Sequence, residues 1–97
     1  MKIMISQPMR GKTDKQIRDE RKALTEALER EGHEVVDTVF ESVPNNVDIA
    51  IYLLAKSIEY IGRVDAVYFM KGWENARGCR IEHQVAVEYD RKVFYEN

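Results

Sequence analysis

The sequence holds one cysteine, two prolines and five glycines in 97 residues, and its charges nearly balance. A single cysteine, Cys79, excludes an internal disulfide and a zinc site built from several cysteines. The 15 Lys and Arg face 17 Asp and Glu, for a formal net charge of -2. A polynucleotide binder that works by bulk electrostatics shows a basic excess instead, so no nucleic-acid polymer is expected as partner. No apolar run approaches the roughly 20 residues of a membrane span. The opening MKIMIS is too short for a signal peptide and reads as a buried strand. Hydrophobic residues at 44% and charged ones at 33% are ordinary for a globular chain. Together these features predict one cytoplasmic domain over residues 1–97, with no membrane partner. A domain this small buries a limited core, so an enzyme of this size is expected to borrow surface from a copy of itself.

What is present is a regular alternation. Lys2 to Ile5 reads as a strand, and Ser6 to Thr13 breaks it with Pro8 and Gly11. Thr13 with Gln16 fits a capping box. Ile17, Leu24 and Leu28, flanked by Ala23 and Ala27, form a helical stripe, and Gly32 fits a left-handed stop. His33 to Asp37 reads as a second strand, and 38–46 as a connection through Pro44-Asn45-Asn46. Val47, Ala50, Ile51, Leu54, Ile58 and Ile61 recur at helical spacing before Gly62. Asp65 to Met70 is a third strand, apolar without alternation, as when both faces are covered. Lys71 to Gly78 is a loop, a helix runs from about Cys79 to Tyr89, and Lys92 to Tyr95 is the last strand. The order β-α-β-α-β-α-β predicts right-handed crossovers and an α/β three-layer sandwich of the Rossmann/flavodoxin-like kind, with a four-stranded parallel sheet. Ligands of such sheets bind beyond the carboxyl ends of the strands, which directs attention to loops 6–13, 38–46 and 71–78.

The first loop nearly spells the phosphate-binding pattern G-x-x-x-x-G-K-[ST], with Ser6 in place of the first glycine. A nucleotide triphosphatase also needs a magnesium-binding Asp at the end of a buried strand. Asp65 opens its strand, the wrong end for that task. Two readings remain. Either the helix start, Gly11, Arg10 and Lys12 make an anion site, or this is a β-to-α turn with solvated basic residues.

In the third loop Glu82 stands out. It lies one helical turn before Val85 and Ala86, on the side that should face the sheet. Apolar surroundings raise its pKa, whereas the helix N-terminus lowers it. If the second effect wins, Glu82 is an ionised carboxylate suited to nucleophilic attack. Otherwise it is a first-turn Glu on a solvated edge. Cys79 lacks the C-x5-R pattern of cysteine phosphatases and reads as a buried structural residue. Glu82, His83 and Glu88 do not form a zinc motif. His33 is expected on the surface. Trp73 stacks on a base or covers the core edge.

The segments SQPMRGKT and KGWENARGCRIEH, with the strand D-A-V-x-F between them, carry a resemblance over essentially the whole chain. The sequence resembles the nucleoside 2-deoxyribosyltransferase superfamily, closest to its small phage and bacterial members of unknown function. More distantly, it is similar to the 2'-deoxynucleoside 5'-monophosphate N-glycosidases. The resemblance implies a Glu, opening a helix in a G-x-x-x-E-like segment, that attacks the anomeric carbon of the deoxyribose. Gly78-Cys79-Arg80-Ile81-Glu82 matches it, which implies Glu82 as nucleophile.

The same resemblance implies sugar and phosphate contacts from Ser6, Arg10 and Gly11, with Lys12 beside them. It also implies a catalytic Asp two turns ahead of the third strand's own Asp, and Ser57 occupies that position. A serine hydroxyl does not exchange a proton as a carboxyl does near neutral pH. Either Asp37, Asp48 or Asp65 replaces it, or the chain is not an efficient glycosidase. Asp65 is taken as the second catalytic group. Asp37, Ser57, Gly72, Trp73 and Gly78 complete the implied substrate site. The implied ligand is a nucleoside or nucleoside monophosphate, cleaved or transferred at its N-glycosidic bond with no metal or cofactor required. The alternative is a non-catalytic nucleotide-binding or interaction domain of phage origin that has lost turnover.

One feature bears on assembly. Ile49, Tyr52 and Leu53 add to the stripe of the 47–61 helix, making it apolar on several sides. A helix of that kind is usually buried on several sides, which predicts a homodimer or higher homo-oligomer covering it.

Overall fold

The computed structural model describes residues 1–38 and 42–97; residues 39–41, part of the expected 38–46 connection, lie outside the described residues. The elements are β1 (Lys2–Ser6), α1 (Asp14–Arg30), β2 (Glu34–Val36), α2 (Ile49–Ile61), β3 (Ala66–Phe69), a short 3-10 turn (Trp73–Asn75), α3 (Arg77–Glu88) and β4 (Lys92–Tyr95). All strand pairs are parallel, in the order β2-β1-β3-β4. This is the expected α/β architecture. The chain winds from β1 outward to β2, then returns past β1 to β3 and β4, so its direction reverses between β1 and β3. In open parallel sheets the crevice beyond such a reversal is where ligands bind.

Strand periodicity sorts the core into two faces. Ile3, Ile5, Ala66 and Met70 pack with Leu28 on the α1 side. Met4, Val67 and Phe69 pack with Ile61, Val64 and Ala86 on the side of α2 and α3. Ser6 is two residues beyond Met4, so it points to the α3 side at the carboxyl end of β1. Each apolar side chain withdrawn from water in these layers contributes about 1.5–3 kcal/mol.

Local signals in the sequence explain most boundaries. Thr13 and Gln16 form the capping box at the start of α1, and Gly32 takes the left-handed conformation (φ 91°) just after its end. The Asp48 carboxylate accepts the Ile51 N–H at 3.0 Å and caps α2.

Two expectations need correction. The last helix begins at Arg77 rather than near Cys79, so Gly78 lies inside it and not in the loop. No side chain caps that start; Ala76 occupies the position, which is why the sequence gives no N-cap signal there. The apolar stripe of α2 also faces differently. Ile51 is 65% exposed, Ile49 62% and Val47 42%, and Ala50 is exposed as well, whereas Leu54, Ser57 and Ile58 are half-buried and Ile61 is buried. The first turns of this helix meet little of the chain, although their residues are as apolar as a core. Among the described residues, no helix is long and apolar enough to cross a membrane.

Candidate functional site

Glu82 sits in the second turn of α3, one turn before Ala86, which is fully buried against the sheet. The same alignment brings Glu82 down onto β1, with 9% of its surface exposed. There the Ser6 hydroxyl donates to Glu82 Oε2 at 2.9 Å, in a buried contact. Burial pushes the Glu82 carboxyl above the usual carboxylate range; the Ser6 hydrogen bond, the Arg21 guanidinium and the Ser57 hydroxyl act against that rise. The solvated first-turn Glu of the alternative reading is not what the chain builds. Because α3 starts early, Glu82 is also removed from the helix end, where dipole effects fade within a turn. Desolvation prevails over the lowering forces.

Arg21 was not legible as a site residue. It occupies the stripe of α1 between Ile17 and Leu24, and a charged residue at a stripe position was the available signal. Its Nε donates to Gln7 Oε1 at 3.0 Å and its Nη1 to Thr38 Oγ1 at 3.2 Å. Gln7, only 6% exposed, donates in turn to the Ile17 carbonyl at 2.9 Å. Burial lowers the proton affinity of the guanidinium, opposed by Asp37 and then Glu82. An arginine remains charged through such a change.

The remaining candidates fall into three groups. Ser57 of α2 does face Glu82, as its effect on that carboxyl shows. Asp37 lies just past β2, exposed and within electrostatic reach of Arg21. Cys79, one turn before Glu82, is buried; burial pushes its thiol up, with the Ser6 hydroxyl lowering it and Glu82 raising it further.

In the first loop Gly11 takes φ 81° and Arg10 is exposed. Lys12 is paired with Glu20 at 3.0 Å, so its charge is partly committed before any anion arrives. Gly72 takes φ 93°, and a Cβ there would stand 3.7 Å from Pro8 Cγ, which shows how closely the first and third loops approach.

Two candidates, Asp65 and Asp48, are engaged elsewhere, and Trp73 covers the sheet end beside the centre. Asp65, expected as the second catalytic group, accepts the Lys2 N–H at 2.8 Å at the opposite end of the sheet. It precedes β3, and in a parallel strand the residues before the start face away from the carboxyl-end crevice. Asp48 is occupied as the α2 cap. Trp73 packs on Phe69, with ring centroids 5.3 Å apart, and stacks on His83 at 4.2 Å. His83 Nε2 and the Tyr95 hydroxyl are 2.7 Å apart, which closes an aromatic cluster over the sheet end. His33 is half-buried, with Nδ1 at 3.2 Å from the N-terminal amine, rather than a free surface residue.

Among the described residues, no group of three or more His, Cys, Asp or Glu is placed to hold a metal ion.

The architecture and this buried carboxylate are those of a parallel α/β domain with its polar centre at the strand-order reversal. The chain belongs to the family described as a domain of unknown function (DUF4406), whose model matches residues 1–95. A search of curated proteins finds no match to it.

Proposed function

We propose that the chain acts on the N-glycosidic bond of a deoxynucleoside or deoxynucleoside monophosphate, with Glu82 as nucleophile. The observation that carries this reading is the Glu82 carboxylate, buried at the reversal of strand order and held on one oxygen by Ser6. The Ser6 hydrogen bond fixes the carboxylate through Oε2. The resemblance of SQPMRGKT and of Gly78 to Glu82 to deoxyribosyltransferase segments supports the choice of substrate.

The reaction is a double displacement. Glu82 forms an ester to the anomeric carbon as the bond to the base breaks, through an oxocarbenium-like transition state. The base leaves with the bonding electron pair and takes up a proton. Water or a second base then attacks the same carbon, releases the sugar and restores the carboxylate. Water makes the protein a hydrolase, and a second base makes it a transferase. Of the three carboxyl candidates for the proton donor, Asp65 is at the wrong end and Asp48 caps α2, so Asp37 is the one left at the carboxyl end of the sheet. Gly11 and the α1 start, with Arg10, serve the phosphate or sugar.

The second reading is a nucleotide-binding module without turnover. Ser57 in the position where the resemblance calls for an Asp favours it, since Ser57 supports Glu82 but cannot protonate a leaving base. For association, we infer that a second copy covers the exposed apolar turns of α2.

The test is a panel of deoxynucleosides and their monophosphates, with free base followed chromatographically. Release by the wild type and not by Glu82→Gln supports the first reading. Thermal stabilisation without release supports the second; a ligand at 100 times its Kd adds about 2.7 kcal/mol. Neither effect from any member of the panel refutes both.

A further inference from the structure

We propose that a second copy of this chain docks on the open edge of β2 and the flank of α1 beside it, across a two-fold axis that joins two four-stranded sheets into one. The proposal stands apart from the reading of Glu82. It also stands apart from the contact over α2, because α1 and α2 cover opposite faces of the sheet.

β2 is the outer strand on its side, and among the described residues no strand pairs with its far edge. The Glu34 N–H donates to the Met1 carbonyl at 3.0 Å, so the backbone groups of Glu34 face β1. The next residue presents its groups the other way, which turns those of Val35 outward. Such an edge is a template for another strand. A groove of about 400 Å³ runs beside it, between β2 and α1, lined by Val35 and Val36.

The charges along that groove are sorted by sign. α1 runs antiparallel to the strands. Arg18 and Lys22 therefore stand toward the carboxyl end of the sheet, and Glu26 and Glu29 toward the amino end. All four are exposed, and among the described residues none of them is in an ion pair. Arg21, on the same flank, is bonded inward to Gln7 and Thr38, and Asp37 offsets its charge.

A two-fold axis perpendicular to the sheet reverses the partner, so the basic half of one flank meets the acidic half of the other. With the axis midway between Ala23 and Leu24, Arg18 stands level with the partner's Glu29. Lys22 is then within a turn of the partner's Glu26. Leu24 and Val35 pack in one cluster, so the same axis passes by Val35. There the two β2 strands run antiparallel, and each Val35 N–H donates to the partner's Val35 carbonyl. α1 covers both β1 and β2, which places the two helices two strand spacings apart. That separation is about 10 Å, the packing distance of helices.

The experiment uses Ile51→Glu as background, which removes the separate contact over α2, and reads mass by sedimentation at micromolar concentration. This protein is expected to be a dimer; a monomer overturns the proposal. Two charge reversals are then added separately, Arg18→Glu with Lys22→Glu, and Glu26→Lys with Glu29→Lys. Each alone is expected to weaken the dimer about tenfold, because like charges now face each other. Mixing the two reversed proteins is expected to restore a mixed dimer. Reversals without effect, or a mixture that stays monomeric, overturn the proposal. If a reversed protein does not fold, a salt titration of the background protein carries the test. A Kd that rises with salt supports the proposal, and one independent of salt overturns it. Hydrogen exchange of the Val35 amide identifies the occupant. Protection in the dimer that is lost on dilution is the expected result. Protection that persists in the monomer assigns the edge to the chain itself, and no protection in the dimer leaves it to a foreign strand; either overturns the proposal.

Discussion

The Ser6 hydroxyl donates to Glu82 Oε2 at 2.9 Å, a buried bond that joins the end of β1 to the second turn of α3 across 76 positions of sequence. It ties the strand at the reversal directly to the helix that carries the candidate nucleophile. Removing the donor in Ser6→Ala leaves a buried acceptor short of a partner, at a cost of about 1–3 kcal/mol. The same change removes a force that holds the Glu82 carboxyl down, so the acid limb of any base-release profile moves to higher pH. Denaturant unfolding and a pH–rate profile measure the two effects.

Stability should fall as pH rises, through Glu82. Its folded-state pKa is raised by burial, so the folded protein holds this proton more tightly than the unfolded chain does. The unfolded carboxyl ionises near about pH 4.3. Above that value the unfolded state is favoured, until the folded group has ionised too. Glu82→Gln lacks this penalty and keeps an acceptor for Ser6. Its advantage over the wild type is expected to be smallest at pH 4 and to grow toward pH 7. Melting temperatures of both proteins across that range check the sign.

Gly78 separates folding from function. It lies one turn before Glu82 on the same helix face, and a Cβ there meets no atom within 4 Å. Alanine in a helix is better than glycine by up to about 1 kcal/mol. Gly78→Ala is therefore expected to stabilise the fold slightly. If the face in front of Glu82 receives a sugar, the same methyl lowers ligand affinity. Unfolding curves and thermal shift with nucleotide test the two halves.

Ile49 and Ile51 are 62% and 65% exposed in the single chain. If a second copy covers them, Ile51→Glu breaks the assembly by placing a charge in an apolar contact. Sedimentation at micromolar concentration is expected to show an oligomer for the wild type and a smaller species for the variant. A monomeric wild type contradicts the inference.

Elements with strong local chemistry were legible in the sequence. The Thr13–Gln16 box, Gly32, the apolar Ala66–Phe69 strand and the Lys92–Tyr95 strand all stand where pattern and caps put them. The start of α3 was not, because Ala76 offers no capping oxygen. The alignment of Glu82 with Val85 and Ala86 correctly pointed it toward the sheet. The balance between burial and helix dipole on its pKa was not readable, since it depends on how far Glu82 lies from the helix end. Arg21 escaped notice because its partners, Gln7 and Thr38, are 14 and 17 positions away and uncharged. Asp65 illustrates the opposite failure: a carboxyl near the right strand, but at the end of the sheet where Lys2 claims it.

The central claim is that Glu82 bonds to the sugar during turnover. The most direct measurement is intact mass, with peptide mapping, after rapid acid quench of the protein with a substrate that releases base. A mass increase of one deoxyribosyl or deoxyribosyl-phosphate group, located on the Glu82 peptide and absent in Glu82→Gln, is the predicted result. Base release that persists in Glu82→Gln, with no adduct on that peptide in the wild type, would contradict the account.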